Sequence, residues 1–212
     1  MRVRTVVVSL AAVLLTVPMA LVAPSAAFAG RPLVDPTTLN PEPHDTGKPV
    51  CAWEGNRIVC RTTIDFGVGG DTIEPGITCS GAELQWSLQQ TLRAGSELVY
   101  NAQKNVVEGI YLDSYTGSFY NPATGKSAAW TQQDRYVVVY TTPGDRYSGT
   151  STLTELQQVY GPTGHVILTD AGRETFDYTD GTLLTIAGHH PLDDFVLLGD
   201  PSGLAPLCDA LT

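Results

Sequence analysis

The sequence predicts an all-β fold: an antiparallel meander of about eight or nine strands that closes into a barrel or packs into a sandwich. Three observations carry this expectation. From Ser96 onward the chain is a succession of β-prone runs, namely Leu98–Gln103, Val106–Tyr120, Arg135–Thr142, Thr150–Tyr160 and those within His165–His190. The breaks between them are turn chemistry: Asn121-Pro122-Ala123-Thr124-Gly125-Lys126, Pro143-Gly144-Asp145 and Gly161-Pro162-Thr163-Gly164. No convincing helix separates the runs, and short connections make neighbouring strands antiparallel.

Taken in order, residues 1–29 read as a secretory signal peptide. Arg2 and Arg4 precede the apolar run Val6–Val22, and Ala27-Phe28-Ala29 supplies small residues at the cleavage positions. Pro18 interrupts the run and no basic stop-transfer cluster follows, so the mature chain is expected to be secreted, extracellular and free of the membrane. Residues 30–49 carry Pro32, Pro36, Pro41, Pro43 and Pro49 and read as an extended, flexible leader. Residues 50–212 then form a single disulfide-stapled β domain, long enough to bury a core of its own.

In Cys51-Ala52-Trp53-Glu54-Gly55-Asn56-Arg57-Ile58-Val59-Cys60, a two-residue turn at Gly55-Asn56 makes Glu54 and Arg57 a hydrogen-bonded pair. Alternation then puts Cys51 opposite Cys60 at a non-hydrogen-bonded site, where side chains come closest and a bridge fits. Cys79 and Cys208 are left for each other. The loop Gly67-Val68-Gly69-Gly70-Asp71 lacks the following Lys-Ser or Lys-Thr of a phosphate cradle and reads as punctuation.

Ala82–Arg93 admits a helix, through Leu84, Leu88 and Leu92 and a Ser80/Glu83 capping pattern, or a strand, through strict alternation. Trp86 favours the strand, because only there does it join the leucines. Farther on, His165–His190 suggests three extended runs broken at Asp170-Ala171-Gly172 and at Thr179-Asp180-Gly181-Thr182, the second pairing Tyr178 with Leu183 and Phe176 with Thr185. Pro191–Thr212 reads as loop, with Phe195–Leu198 as an edge strand.

The runs GSFYNPATGKS (Gly117–Ser127) and TDAGRETFDYTDGTLLTIAGHH, with the early ITCSG at Cys79 and the terminal LCDAL at Cys208, together resemble an uncharacterised group of secreted bacterial all-β proteins. That group has N-x-x-T-G-K-S and D-A-G-R elements and no assigned activity. The resemblance covers Thr78 to the C-terminus. It implies an early and near-terminal cysteine pair, in agreement with Cys79–Cys208, and a strand over Ala82–Arg93. None of its motifs is catalytic, and Cys51 and Cys60 lie outside it.

Removal of the signal leaves 10 basic and 22 acidic residues, a formal charge of −12. That charge works against nucleic acid and anionic membrane as partners. An even number of cysteines in an exported chain argues for disulfides rather than metal or nucleophile roles. His189 and His190, near Asp193 and Asp194, suggest a metal site. Strand alternation sends the two rings to opposite faces, so no metal or cofactor is expected. Asp177 and Asp180 fall short of the oxygens that calcium takes, and Asp180 has a turn role. Asp170, Glu174 and Asp177 contain a possible acid and base pair for glycoside hydrolysis, with turn and edge positions as the competing explanation. Arg173 is expected to pair with a neighbouring carboxylate. No G-x-S-x-G, H-E-x-x-H or S-x-x-K occurs.

The alternation in Arg135–Tyr140 puts Tyr136, Val138 and Tyr140 on one face and Val137 and Val139 on the other, as in a strand buried on both sides; Leu183–Ile186 reads the same way. A face holding these tyrosines, with Trp86, is the candidate cavity lining. The expected function is a non-catalytic binding or interaction domain for a small apolar ligand, a glycan or an extracellular protein. The alternatives are a barrel-type enzyme, a cyclase or hydrolase of lipocalin-like or allene oxide cyclase-like type, and an envelope-associated structural protein. A perturbed carboxylate or histidine inside a cavity would favour the enzyme.

Overall fold

The computed structural model describes residues 28–43, 47–64, 72–73 and 75–212. The signal peptide up to Ala27 and the glycine-rich loop at 67–70 lie outside the described residues. The fold is an antiparallel meander. Its main sheet orders Leu33–Val34 (β1), Val50–Glu54 (β2), Arg57–Ile64 (β3), Gln85–Tyr100 (β7), Val106–Asn121 (β8), Lys126–Val139 (β9), Thr150–Tyr160 (β10), Val166–Asp177 (β11) and Leu183–His189 (β12). Thr72–Ile73 (β4) adds to β7, and Thr78–Cys79 (β5) pairs with Ala82–Glu83 (β6). β1 and β12 end the sheet, with no closure among the described residues.

The first hairpin has Glu54 opposite Arg57 and Cys51 opposite Cys60, and the two cysteines are bridged with their Cα atoms 4.0 Å apart. The only positive φ in its turn is at Gly55, 68°, as a type II′ hairpin requires at its first central position. Ahead of it the expected flexible leader is partly ordered along the sheet edge. Leu33 and Val34 pair with Ala52 and Cys51, Leu39 is buried, and Asn40 takes an N–H from Val106 while donating its own to Lys104. Its prolines leave it few backbone donors, but two paired residues and one buried leucine are enough to lay it down. Phe28, within the stretch read as signal peptide, packs on Ala52 and Val59 beneath the Arg61 guanidinium.

Ala82–Arg93 is extended as two strands, Ala82–Glu83 and, past a break at Leu84, a strand that runs from Gln85 to Tyr100, and Trp86 stacks on Trp130 with ring centroids 5.3 Å apart. Two expectations fail in β11. Asp170-Ala171-Gly172 is no turn: β11 runs straight through it in register with β10. Gly172 is needed instead for a close approach, since a Cβ there would stand 2.1 Å from the His190 ring. The β11–β12 hairpin pairs Phe176 with Leu183, two residues off the expected register, and beyond a bulge at Leu184 pairs Thr175 with Thr185, one residue off: the loop closes wider, with the Asp177 N–H donating to the Thr182 carbonyl, and the Tyr178 N–H donates to the Gly149 carbonyl instead.

The tail, expected as loop and edge strand, is helical: Pro191–Leu198 (α1) and Ala205–Leu211 (α2). Pro191 opens α1 at its first turn, Asp193 and Asp194 complement its dipole, and Gly199 closes it in the left-handed conformation. Leu192, Leu207 and Leu211 are buried, and the Cys79–Cys208 bridge fastens α2 to β5.

The ladders place side chains of one sheet face in rows. At one end Leu88, Gly117, Trp130, Val159 and Leu168 lie side by side, beneath α1 and α2. At the other end Leu98, Gly109, Val138, Ser151 and Phe176 form the matching row, packed with Cys51, Cys60 and Tyr100. Two apolar clusters thus cap a single face. Val137 is half-buried and Val139 is 51% exposed, so β9 is buried on one side only. Leu184, also exposed, corrects the same expectation for β12.

Candidate functional site

Between the apolar ends, three rows of the same face are polar. The central one runs Asp113, Asp134, Glu155, Gly172, Gly188 across β8 to β12. One flanking row is Tyr115, Gln132, Gln157, Asp170; the other is Tyr111, Tyr136, Leu153, Glu174, Ile186. Carboxylates from four strands therefore share a single patch. Among the described residues no Lys or Arg is ion-paired to Asp113, Asp134, Glu155, Asp170 or Glu174.

At the β8–β9 side the patch opens into a cleft of ≈ 490 Å³ lined by Tyr111, Asp113, Asp134, Tyr136, Leu153 and Tyr178. The tyrosine rings stand at angles around it: Tyr111 and Tyr136 have centroids 6.3 Å apart at 52°, and Tyr136 and Tyr178 are 6.4 Å apart at 54°. Burial pushes the Asp134 carboxyl up to about 6, against hydrogen bonds from Gln132 at 3.0 and 3.1 Å; the Asp113 charge raises it further. Burial also raises Asp113, offset by the Tyr115 hydroxyl that donates to it. Tyr140 and Tyr178 are held protonated, chiefly by burial.

At the β10–β12 side the patch is closed. His190 follows β12 at the N-cap position of α1, and the missing Cβ atoms of Gly172 and Gly188 make room for its ring. Its Nε2 lies 3.0 Å from the Ala187 carbonyl. A carbonyl only accepts, so Nε2 carries the hydrogen, and Nδ1 faces Glu155 Oε1 at 3.2 Å, Asp170 Oδ1 at 3.1 Å and Asp193 Oδ2 at 3.7 Å. Asp170 Oδ2 accepts the N–H groups of Leu192, at 2.7 Å, and Asp193, at 3.1 Å, which ties the start of α1 to β11. Burial, then Asp193, pushes Glu155 far above the carboxylate range; burial likewise raises Asp170, against its two backbone donors. Glu174 reaches about 7, first by burial and then by the Asp193 charge. For His190 burial favours the neutral ring, but the Ala187 carbonyl and the surrounding acids outweigh it.

The expected cavity set is divided. Tyr136 lines the tyrosine cleft, whereas Val138 and Tyr140 are buried in the apolar cluster beside it. Trp86 lines a different pocket of ≈ 190 Å³ with Ile77, Phe119, Gln157 and Asp193, where the flanking polar row meets the apolar end. Asp170 and Glu174 do meet, flanking Gly172 on one face. Asp177 does not: it accepts the Thr179 N–H in the turn, as Asp180 accepts that of Thr182. Arg173 is exposed on the opposite face, and His189 is exposed as well. Asp113, Asp134, Glu155 and Tyr178 escaped the sequence reading. Their signal was present in the even positions of β9, where Gln132 and Asp134 interrupt an otherwise apolar series of Trp130, Tyr136, Val138 and Tyr140.

The chain matches no family model, no curated protein and no solved structure. The site therefore has to speak through its own chemistry. Two disulfides fit an extracellular or otherwise oxidising location, and no helix among the described residues is long and apolar enough to cross a membrane.

Proposed function

We propose that this is a secreted binding protein whose tyrosine cleft takes a small organic cation with an apolar body, such as a quaternary ammonium compound. The observation that carries the reading is the pairing of three angled tyrosine rings with two carboxylates that have no cationic partner among the described residues. Ring faces attract cations, and each such contact is worth about 0.5–2 kcal/mol depending on desolvation. A bound cation would also relieve the burial cost that raises Asp113 and Asp134. Arg146 stands near Tyr140 and Tyr178 and donates to the Glu42 carbonyl at 3.0 Å, while two carboxylates line the cleft itself. In this reading the sheet, with α1 and α2 across one end, works as an unclosed barrel wall rather than as half of a sandwich.

Calorimetric titration with choline and with its uncharged isostere dimethylbutanol tests the reading. Choline binds, the isostere binds at least about tenfold more weakly, a difference of ~1.4 kcal/mol, and Asp134→Asn removes the preference. Equal binding of the two compounds, or none of either, contradicts it.

One observation favours a barrel-type hydrolase as the second reading. Asp134, held near 6, stands directly across from Asp113 on adjacent strands, an arrangement two catalytic carboxyls can use on a glycan. Release of reducing ends from a polysaccharide panel, lost in Asp113→Asn and Asp134→Asn alike, would decide for it.

A further inference from the structure

We propose that Glu155, Asp170, His190 and Asp193 form a closed site for one divalent zinc-like cation, which clips β10, β11, β12 and α1 together. The four donor atoms all lie within 4.8 Å of one another. From Nδ1 the separations of 3.1, 3.2 and 3.7 Å bracket the ~3.3 Å between ligand atoms of a tetrahedral site with zinc bonds of about 2.0 Å.

The chemistry of the donors points the same way. The Ala187 carbonyl holds the hydrogen on Nε2, leaving the Nδ1 lone pair aimed at three carboxylate oxygens. Three carboxylate oxygens and Nδ1 converge on one point, and positive charge there, protons in the metal-free protein and the cation in the loaded one, is what holds them together. A carbonyl that accepts from the far nitrogen is the usual means of orienting a metal-bound histidine. Asp170 shares the work: Oδ2 is occupied by two backbone N–H groups, and Oδ1 is turned to the centre.

An independent observation comes from outside the donor set. Glu174 is 2% exposed, and its Oε1 has no hydrogen-bond partner. It is two residues from Gly172, on the same face of β11 as Asp170. Asp193 Oδ2 is likewise buried without a hydrogen-bond partner. A cation at this point would engage Asp193 Oδ2 directly and offset the buried charge of Glu174 on the same face. Strand alternation separates His189 from His190 up to the last residue of β12; beyond it the chain turns into α1 and brings Asp193 back over the ring.

The test is zinc alone, added to protein freed of metal by chelation, followed by calorimetry, metal analysis and thermal unfolding. One equivalent binds, and the melting temperature rises by roughly 5 °C or more. Glu155→Gln and Asp193→Asn abolish the uptake while melting no lower than the metal-free parent, which separates loss of a ligand from loss of the fold. His189→Ala, at an exposed neighbour, keeps it. No stoichiometric uptake by the parent, or uptake that survives in both ligand variants, overturns the site and leaves a protonated hydrogen-bond network holding α1. Choline binding at the tyrosine cleft is read separately, so either result stands without the other.

Discussion

The apolar rows at the two ends of the sheet face and the acidic rows between them are built on the same strands, by the same alternation, and obey opposite economies. The end rows are filled: Trp130, Val159 and Leu168 lie under the C-terminal helices, and Leu98, Val138 and Tyr100 back the first hairpin. Burial there stabilises at about 25 cal/mol per Å² of apolar surface. In the middle rows burial is a cost, because Asp134, Glu155, Asp170 and Glu174 are desolvated without a Lys or Arg partner among the described residues, and His190 alone faces Glu155 and Asp170. The difference teaches where to look for function: a fold that keeps several unpaired acids on its inner face gains nothing from them alone.

The contrast can be broken at its stable end first. Trp130→Ala should cost about 3–5 kcal/mol in urea unfolding, through the cavity it leaves against Trp86 and Val159. Trp130→Phe should cost far less, since the indole N–H has no partner to lose. Replacing both Cys79 and Cys208 by serine should cost about 2–4 kcal/mol by the same measurement, because the bridge closes 129 residues of chain and fastens α2.

Gly172 lies in the central polar row, against His190. Gly172→Ala puts a methyl 2.1 Å from His190 Nε2 and 2.4 Å from the Ala187 carbonyl, so the ring must leave its place. A loss of about 1–3 kcal/mol in unfolding is expected. Changed chemical shifts confined to His190 and the start of α1 would locate the damage.

Much of this was legible in the sequence, and the reasons for success and failure are physical. The first hairpin was readable because a two-residue turn fixes register locally, which carried Cys51 to Cys60. Trp86 resolved Ala82–Arg93 because only a strand puts it with the leucines. The helices were not readable: eight and seven residues are too few for a 3.6-residue period to declare itself, and Phe195–Leu198 alone looks like a strand. Gly172 misled because a glycine needed for close approach has the same letter as one needed for a turn. The acidic patch depends on register across strands 20 or more residues apart; Asp113, Asp134 and Glu155 become neighbours only once those ladders are set.

The smallest stability effect belongs to the middle rows and is the most informative. The double variant Asp113→Asn and Asp134→Asn should unfold at the same urea concentration as the parent or slightly higher, since two desolvated carboxylates become neutral amides. Calorimetry of choline binding alongside urea unfolding of that variant tests the central claim most directly. Unchanged or raised stability with binding reduced at least tenfold is the predicted result. Lowered stability with choline binding intact would show that the acids serve the fold and not a ligand.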